Sequence, residues 1–298
     1  MPSPPLRALV LAGPTSSGKS AAALHVAQEW GAVILSADAM QVYRGMDVGT
    51  GKVSPTERAP VPHFGLDIVD PGEPFDAADF VRVADAVLAE HARVVVAGGT
   101  SLYLRALVRG LVTTPPADPA LREELEALHD PHSALAAVDP TLAARLHPND
   151  RLRVVRGLEV FRQTGRALSA MHAEHAAAPD RLVVEALWLD RSDLTYRIDA
   201  RVHEMVALGY VDEVRGLLEA GVDRSCKPMQ SLGYRHFADH VLDALPLSEA
   251  IRRTQRDTRR FARKQRNWMR QLGWERVEGD HLGAAAGAAT RLWGPVRS

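Results

Sequence analysis

The chain has 298 residues, of which 46% are hydrophobic and 24% charged, with a formal net charge of -1 and a single cysteine, Cys226. That length admits one large domain or a core with an appendage, and the composition is that of an ordinary soluble globular protein. One cysteine excludes internal disulfides and cysteine-based zinc sites, and near-neutral charge confines any polyanion-binding surface to a local patch.

The first apolar run, 9–12, is too short for a signal-peptide core or a membrane span, and no later segment reaches spanning length. A cytoplasmic protein without membrane contact is expected. Short apolar runs at 7–12, 32–36, 66–69, 93–97 and 182–189 read as strands buried on both faces. Helical spacing fills 20–30 and 76–91, so strands and helices alternate as in a parallel sheet covered by helices. A proline-rich hinge at 113–119 opens a stretch with helical patterns only. We therefore expect a P-loop NTPase-like α/β core formed by 1–112 and 180–298, with a helical insertion at 113–179. Long helices are predicted at 194–221 and 248–272, and the Gly/Ala-rich tail after Gly283 is predicted to be loosely ordered.

Gly13-Pro14-Thr15-Ser16-Ser17-Gly18-Lys19-Ser20 follows the first predicted strand and opens the first predicted helix, the setting of a phosphate-binding loop. Its glycines let the backbone bend so that successive N–H groups point inward. The helix start adds partial positive charge and Lys19 a full one. The Ser20 hydroxyl is placed to hold a magnesium ion that bridges phosphate oxygens. This pattern specifies a di- or triphosphate, ATP included, and leaves the reaction open. The strand at 93–97 runs into Gly98-Gly99-Thr100-Ser101 without the acid that an NTP hydrolase usually sets at a strand tip. That favours a site in which pyrophosphate is a leaving group. Ligands lie beyond the carboxyl ends of parallel strands, so Asp38 is expected beside the loop.

The most basic stretch is 248–272, with Arg252, Arg253, Arg256, Arg259, Arg260, Arg263, Lys264, Arg266 and Arg270 against one acid, Asp257, between 252 and 270. Helical spacing groups Arg252, Arg256, Arg259, Arg263 and Arg270 roughly along one side, and Trp268 offers a stacking surface. An RNA-facing helix and a solvated, ion-paired face are the two readings. His172 and His175 are spaced like metal ligands but have no third ligand nearby, and read as surface histidines.

The phosphate loop, residues 38–50 and Gly98-Gly99-Thr100-Ser101-Leu102-Tyr103 together resemble the tRNA dimethylallyltransferases. The resemblance continues through His147-Pro148-Asn149-Asp150, Arg153-Val154-Val155-Arg156-Gly157-Leu158-Glu159, residues 197–205, Gln230-Ser231-Leu232-Gly233-Tyr234-Arg235 and residues 259–268, in the expected order over nearly the whole chain. Two positions depart from it: Ala39 stands where the family usually has serine, and Val53 where it usually has proline.

The resemblance implies transfer of a dimethylallyl group from its diphosphate to the exocyclic amine of the adenine next to the anticodon. The partners would be dimethylallyl diphosphate and a tRNA anticodon stem-loop, and the protein would act as a monomer. The diphosphate would rest on residues 13–20 with Mg2+, clamped by Arg201. Asp38 would take the amine proton as the C–N bond forms, and Thr100 would orient the allyl carbon. A flipped adenine would be read by Gln41 and its neighbours. Contact with tRNA is implied at Asp38, Ala39, Met40, Gln41, Thr100, Arg122, Leu152, Arg153, Val154, Val155, Arg156, Gln230, Gly233, Tyr234, Arg235, Arg263, Lys264 and Gln265. The rival readings are a prenyltransferase for free adenine nucleotides, a small-molecule kinase and a non-catalytic RNA-binding protein. The helical insertion and the basic helix argue against the first two, and the intact phosphate loop beside Asp38 against the third.

Overall fold

The computed structural model describes residues 6–296. The chain divides into two compact units, one formed by Met1–Val108 with Arg181–Ser298 and the other by Arg109–Asp180.

In chain order the first unit begins with β1 (Arg7–Ala12), α1 (Lys19–Trp30), β2 (Val33–Ala37), α2 (Pro55–Arg58), β3 (His63–Phe64), α3 (Ala77–Glu90), β4 (Val94–Gly98) and α4 (Ser101–Arg109). The second unit is helical: α5 (Pro119–Glu126), α6 (Pro131–Val138), α7 (Pro140–Ala143), α8 (Arg151–Thr164) and α9 (Leu168–Ala177). The first unit then resumes with β5 (Val183–Asp190), α10 (Leu194–Ala207), α11 (Tyr210–Glu219), α12 (Tyr234–Asp243), α13 (Leu247–Met269), β6 (Glu275–Glu278) and α14 (His281–Trp293).

The six strands form one sheet in the order β3-β2-β4-β1-β5-β6, and every adjacent pair is parallel. This is a P-loop NTPase-like arrangement. β1, β2 and β4 are apolar along nearly their whole length because helices cover both faces. On one face Val10, Leu35, Val96 and Phe80 belong to one buried cluster. On the other, Leu9, Leu11, Ile34 and Val95 pack with α1 and α14. The helical unit has its own small core around Leu125, Leu135, Val154, Val155 and Leu158.

Three predicted features are corrected and one strand is added. Residues 66–69 are not a sheet strand: β3 ends at Phe64, and Ile68 and Val69 donate instead to Val42 O, at 2.7 and 3.1 Å. Asp67, held by Lys52 and Arg58, bends the chain at a φ of 54°. The helix expected over 194–221 breaks at Leu208-Gly209 into α10 and α11. The tail after Gly283 is helical and packed as far as Trp293, with Ala285, Ala288 and Ala289 fully buried, and its last two residues lie outside the described residues. β6 is an additional edge strand.

Candidate active site

Strand register creates the site. Ala12 and Ala37 both pair with Gly98, so β1, β2 and β4 end level. The loops that follow, beginning at Gly13, Asp38 and Gly99, therefore emerge together at the carboxyl edge of the sheet, where a parallel sheet receives its ligand.

The phosphate loop is wound tightly. Ser16 has a φ of 63°, a conformation a serine adopts only under constraint, and Gly18 follows at 98° as the left-handed residue that starts α1. Lys19 Nζ folds back to donate to Pro14 O at 2.7 Å. The Ser16 and Ser17 hydroxyls are buried without a partner among the described residues, a feature suited to a cradle for anionic oxygens. Burial pushes the Lys19 ammonium down to about 8, with Asp38 opposing the shift and Arg201 adding to it. Burial also lowers Arg201, while Glu204 and Asp38 favour its charge.

Each of the expected catalytic groups is oriented by its surroundings. Asp38 Oδ1 accepts from Met40 N at 2.9 Å, and Thr100 Oγ1 accepts from Ala39 N at 2.9 Å, which ties the β4 loop to the β2 loop. Ser36 Oγ donates to Gln41 Oε1 at 2.9 Å and Gln41 Nε2 donates to Thr50 O and Gly51 O at 3.4 Å, so both ends of that amide are held. Arg201 donates to Gly51 O at 3.3 Å. A cleft of about 760 Å³ runs between the phosphate loop, residues 47–58 and α10, and Lys19, Ser20, Lys52, Arg197 and Arg201 are among its lining residues. It is a cationic trough with an apolar rim that includes Tyr196 and Leu208, both well exposed. Such a trough suits a small diphosphate ester with a hydrocarbon end.

The family model described as IPP transferase matches residues 41–272, and one described as isopentenyl transferase matches 6–61. The chain belongs to the IPP transferase family. It is 47% identical over 276 residues to a tRNA dimethylallyltransferase of Geobacter metallireducens, spanning 89% of each chain. With one from an Anaeromyxobacter species it shares 49% over 277 residues, 89% of this chain and 90% of the other. Among solved structures, the tRNA isopentenylpyrophosphate transferase of Bacillus halodurans superposes with a TM-score of 0.70 at 32% identity, covering 96% of this chain and 97% of that one. A eukaryotic dimethylallyltransferase described as acting on tRNA shares the fold, with a TM-score of 0.84 over 98% of this chain and 81% of that one at 24% identity.

In this IPP transferase the residues for which tRNA contact was expected fall into distinct settings. Leu152 and Arg153 are exposed on α8, the leucine 74% so. Val154 and Val155 are not: both lie in the core of the helical unit, so their side chains have no free face to offer a ligand. Arg122 and Arg156 converge on Glu159, which is fully buried, and Arg156 also donates to Thr114 Oγ1 and Pro115 O. Gln230 is exposed, and its amide donates to Arg224 O at 2.6 Å. Gly233 and Tyr234 are buried, and the Tyr234 hydroxyl donates to Glu213. Arg235 pairs with Asp257, whose carboxyl lies far below the usual range, chiefly because Arg256 donates to it.

The basic helix divides the same way. Arg252 and Arg253 pair with Glu249, Arg256 with Asp257, Arg259 with Asp199 and Arg266 with Asp190. Arg263, Lys264 and Arg270 are exposed and have no carboxylate partner among the described residues; Arg270 donates to Asn267 Oδ1 at 2.8 Å. On the side predicted from helical spacing Arg252, Arg256 and Arg259 are thus ion-paired, and the charge without a carboxylate partner gathers towards the helix C-terminus.

Three contributors were not singled out from the sequence. Arg197, one helical turn before Arg201, donates to Ser16 O at 3.1 Å. Glu213 accepts from the backbone N–H groups of Asp47, Val48 and Gly49 at 2.6–3.0 Å and so pins the cleft wall. Lys52 is buried and donates to Tyr43 O, Asp47 and Asp67. Only Arg197 had a usable signal, its i,i+4 spacing from Arg201.

Proposed function

We propose that this chain transfers a dimethylallyl group from dimethylallyl diphosphate to the exocyclic amine of the adenine next to the anticodon in tRNA, releasing diphosphate. The observation that carries this reading is geometric: β1, β2 and β4 end level, so the phosphate loop with Lys19 emerges beside the loops that carry Asp38 and Thr100, which are themselves tied together. The relatives' names supply the substrate pair.

In the transfer, the bond between the allyl carbon and the bridging oxygen breaks and its electron pair leaves with diphosphate. The adenine nitrogen forms the new bond to that carbon, and its proton passes to Asp38 as the nitrogen becomes acidic. Lys19 and Arg201 neutralise the charge that grows on the leaving diphosphate. Thr100, fixed by Ala39 N, holds the strand-tip loop against the β2 loop that carries Asp38.

Magnesium fits these residues. The described residues hold no cluster of three or more His, Cys, Asp or Glu groups for a protein-only metal cage. Ser20 is exposed and lines the cleft, and Mg2+ characteristically binds one or two protein oxygens together with phosphate oxygens and water. When bound, Mg2+ would supply charge neutralisation on the diphosphate. No described helix is long and apolar enough to cross a membrane.

The test is product identity. With dimethylallyl diphosphate, Mg2+ and either unmodified tRNA or AMP, mass spectrometry should find the prenyl group on tRNA alone. Asp38→Asn should bind both substrates yet lose about 10²–10⁴-fold in single-turnover rate, because an amide cannot take the proton. Prenylated AMP without prenylated tRNA would overturn the tRNA assignment, and a near wild-type rate for Asp38→Asn would leave Asp38 a structural residue.

A further inference from the structure

Gln265 follows Arg263 and Lys264 on α13, yet its side chain turns inward and is 7% exposed. Its Oε1 accepts from Thr15 N at 3.1 Å, inside the phosphate loop. Its Nε2 donates to Gly99 O at 2.9 Å, in the loop after β4. One amide therefore fastens together two loops that leave the sheet on adjacent strands. The second loop continues into Thr100, whose N–H donates to Ala37 O at 3.2 Å and whose hydroxyl accepts from Ala39 N. A Cβ at Gly99 would collide with Gln265 Nε2 and stand 2.9 Å from Gly13 O, so glycine at 99 is what admits the amide and the phosphate loop together. β1–β4 pairing ends at Ala12 and Gly98; beyond that point Gln265 supplies the cross-link.

We propose that Gln265 is a positioning residue, not an RNA contact: it sets the separation between the phosphate loop and the Thr100 loop, and so aligns the diphosphate with the reacting amine. The chemical part of this inference rests on the prenyl-transfer reading. A neutral amide is suited to the task because it presents an acceptor and a donor at opposite ends of one rigid group. Glutamate keeps the acceptor but sets an anionic oxygen against the Gly99 carbonyl and near the diphosphate. Methionine fills the space and takes away the partner of the half-buried Thr15 N–H and of the buried Gly99 carbonyl.

Three readouts on Gln265→Met and Gln265→Glu separate the roles: calorimetric binding of inorganic diphosphate with Mg2+, single-turnover prenylation, and filter binding of tRNA across a salt series. Gln265→Met should bind tRNA with wild-type affinity and salt slope, weaken diphosphate binding about tenfold and slow the single turnover roughly 10- to 100-fold, as small misplacements of reacting groups do. Gln265→Glu should be slower still. Weakened tRNA binding with diphosphate affinity and turnover unchanged would make Gln265 an RNA contact and overturn the proposal, as would three unchanged readouts. Should Gln265→Met not fold, Gly99→Ala displaces the amide while keeping it, and must reproduce the same pattern for the proposal to stand. The diphosphate arm needs no prenyl acceptor, so it judges Gln265 even if wild-type protein fails to prenylate tRNA.

Discussion

At the residue scale, Lys19 is the group whose environment most constrains behaviour. Its ammonium is buried with Arg201 nearby and only Asp38 to offset it, which brings it down to about 8 from 10.5. Between these two values the unfolded chain binds more protons at this site than the folded one, so the apo protein gains stability as pH rises from 8 towards the onset of tyrosine titration. Ligand binding runs the other way. A diphosphate favours charged Lys19, so its affinity should fall as pH rises through 8, with proton uptake on binding above that pH. Calorimetry in two buffers of different ionisation enthalpy measures that uptake, and Lys19→Met should abolish both trends. Lys19→Ala should also lower turnover on the order of 10²-fold or more while leaving tRNA binding nearly intact, since the charge matters most as diphosphate departs. Equal rates for wild type and Lys19→Ala would remove the loop from the mechanism.

At the element scale, α13 has two sides with different roles. Arg259 ties it to α10 through Asp199 and Arg266 ties it to the end of β5 through Asp190, while its own Asp257 holds Arg235 and His236 of α12. Its exposed Arg263 and Lys264, with Arg270 at the helix end, are charges available to a polyanion. Replacing Arg263 and Lys264 with alanine should flatten the plot of log tRNA affinity against log salt by roughly 1–2 units and leave the melting temperature unchanged. Replacing Arg266, which donates to buried Asp190, should instead lower the melting temperature, because it strips a partner from a buried carboxylate. An unaltered slope in the first variant would disqualify this face as the RNA surface. Sequence reading found the basic helix but not this division, because i,i+4 spacing shows which residues share a side and not which carboxylates face them from distant parts of the chain. The same limit explains Glu213, which lies more than 160 residues from the N–H groups it caps. β1, β2, β4 and β5 were legible because burial on both faces demands continuous apolar runs. β6, Glu275-Arg276-Val277-Glu278, offers one apolar residue and gave no signal. The phosphate loop and Asp38 were legible because each is specified within a few residues of its own strand.

At the scale of the whole molecule, α14 is the element that composition concealed. Its alanines and glycines suggested a loose tail, but Ala285, Ala288, Ala289 and Leu292 recur at helical spacing and are buried against the α1 side of the sheet. Small side chains here permit close approach. Ala288→Leu should therefore overpack the contact and cost about 1–3 kcal/mol, read as a lower melting temperature. A neutral or stabilising result would mean that the helix can move away from the sheet without cost.

The sheet order also fixes a timetable for synthesis. β1, the central strand, is flanked by β4 and β5, and β5 begins at Val183. α14 then supplies the Leu292 carbonyl that accepts from Arg7 and is followed by the Gly294 carbonyl that accepts from Trp30. A ribosome delivering this chain therefore exposes β1 first and completes its surroundings last. The helical unit, contiguous in sequence, can close its own core in the interval. The strand that carries the phosphate loop spends most of translation with an unpaired edge. A nascent chain arrested before β5 should show a protected helical unit and a protease-sensitive β1, while release of the full chain restores both.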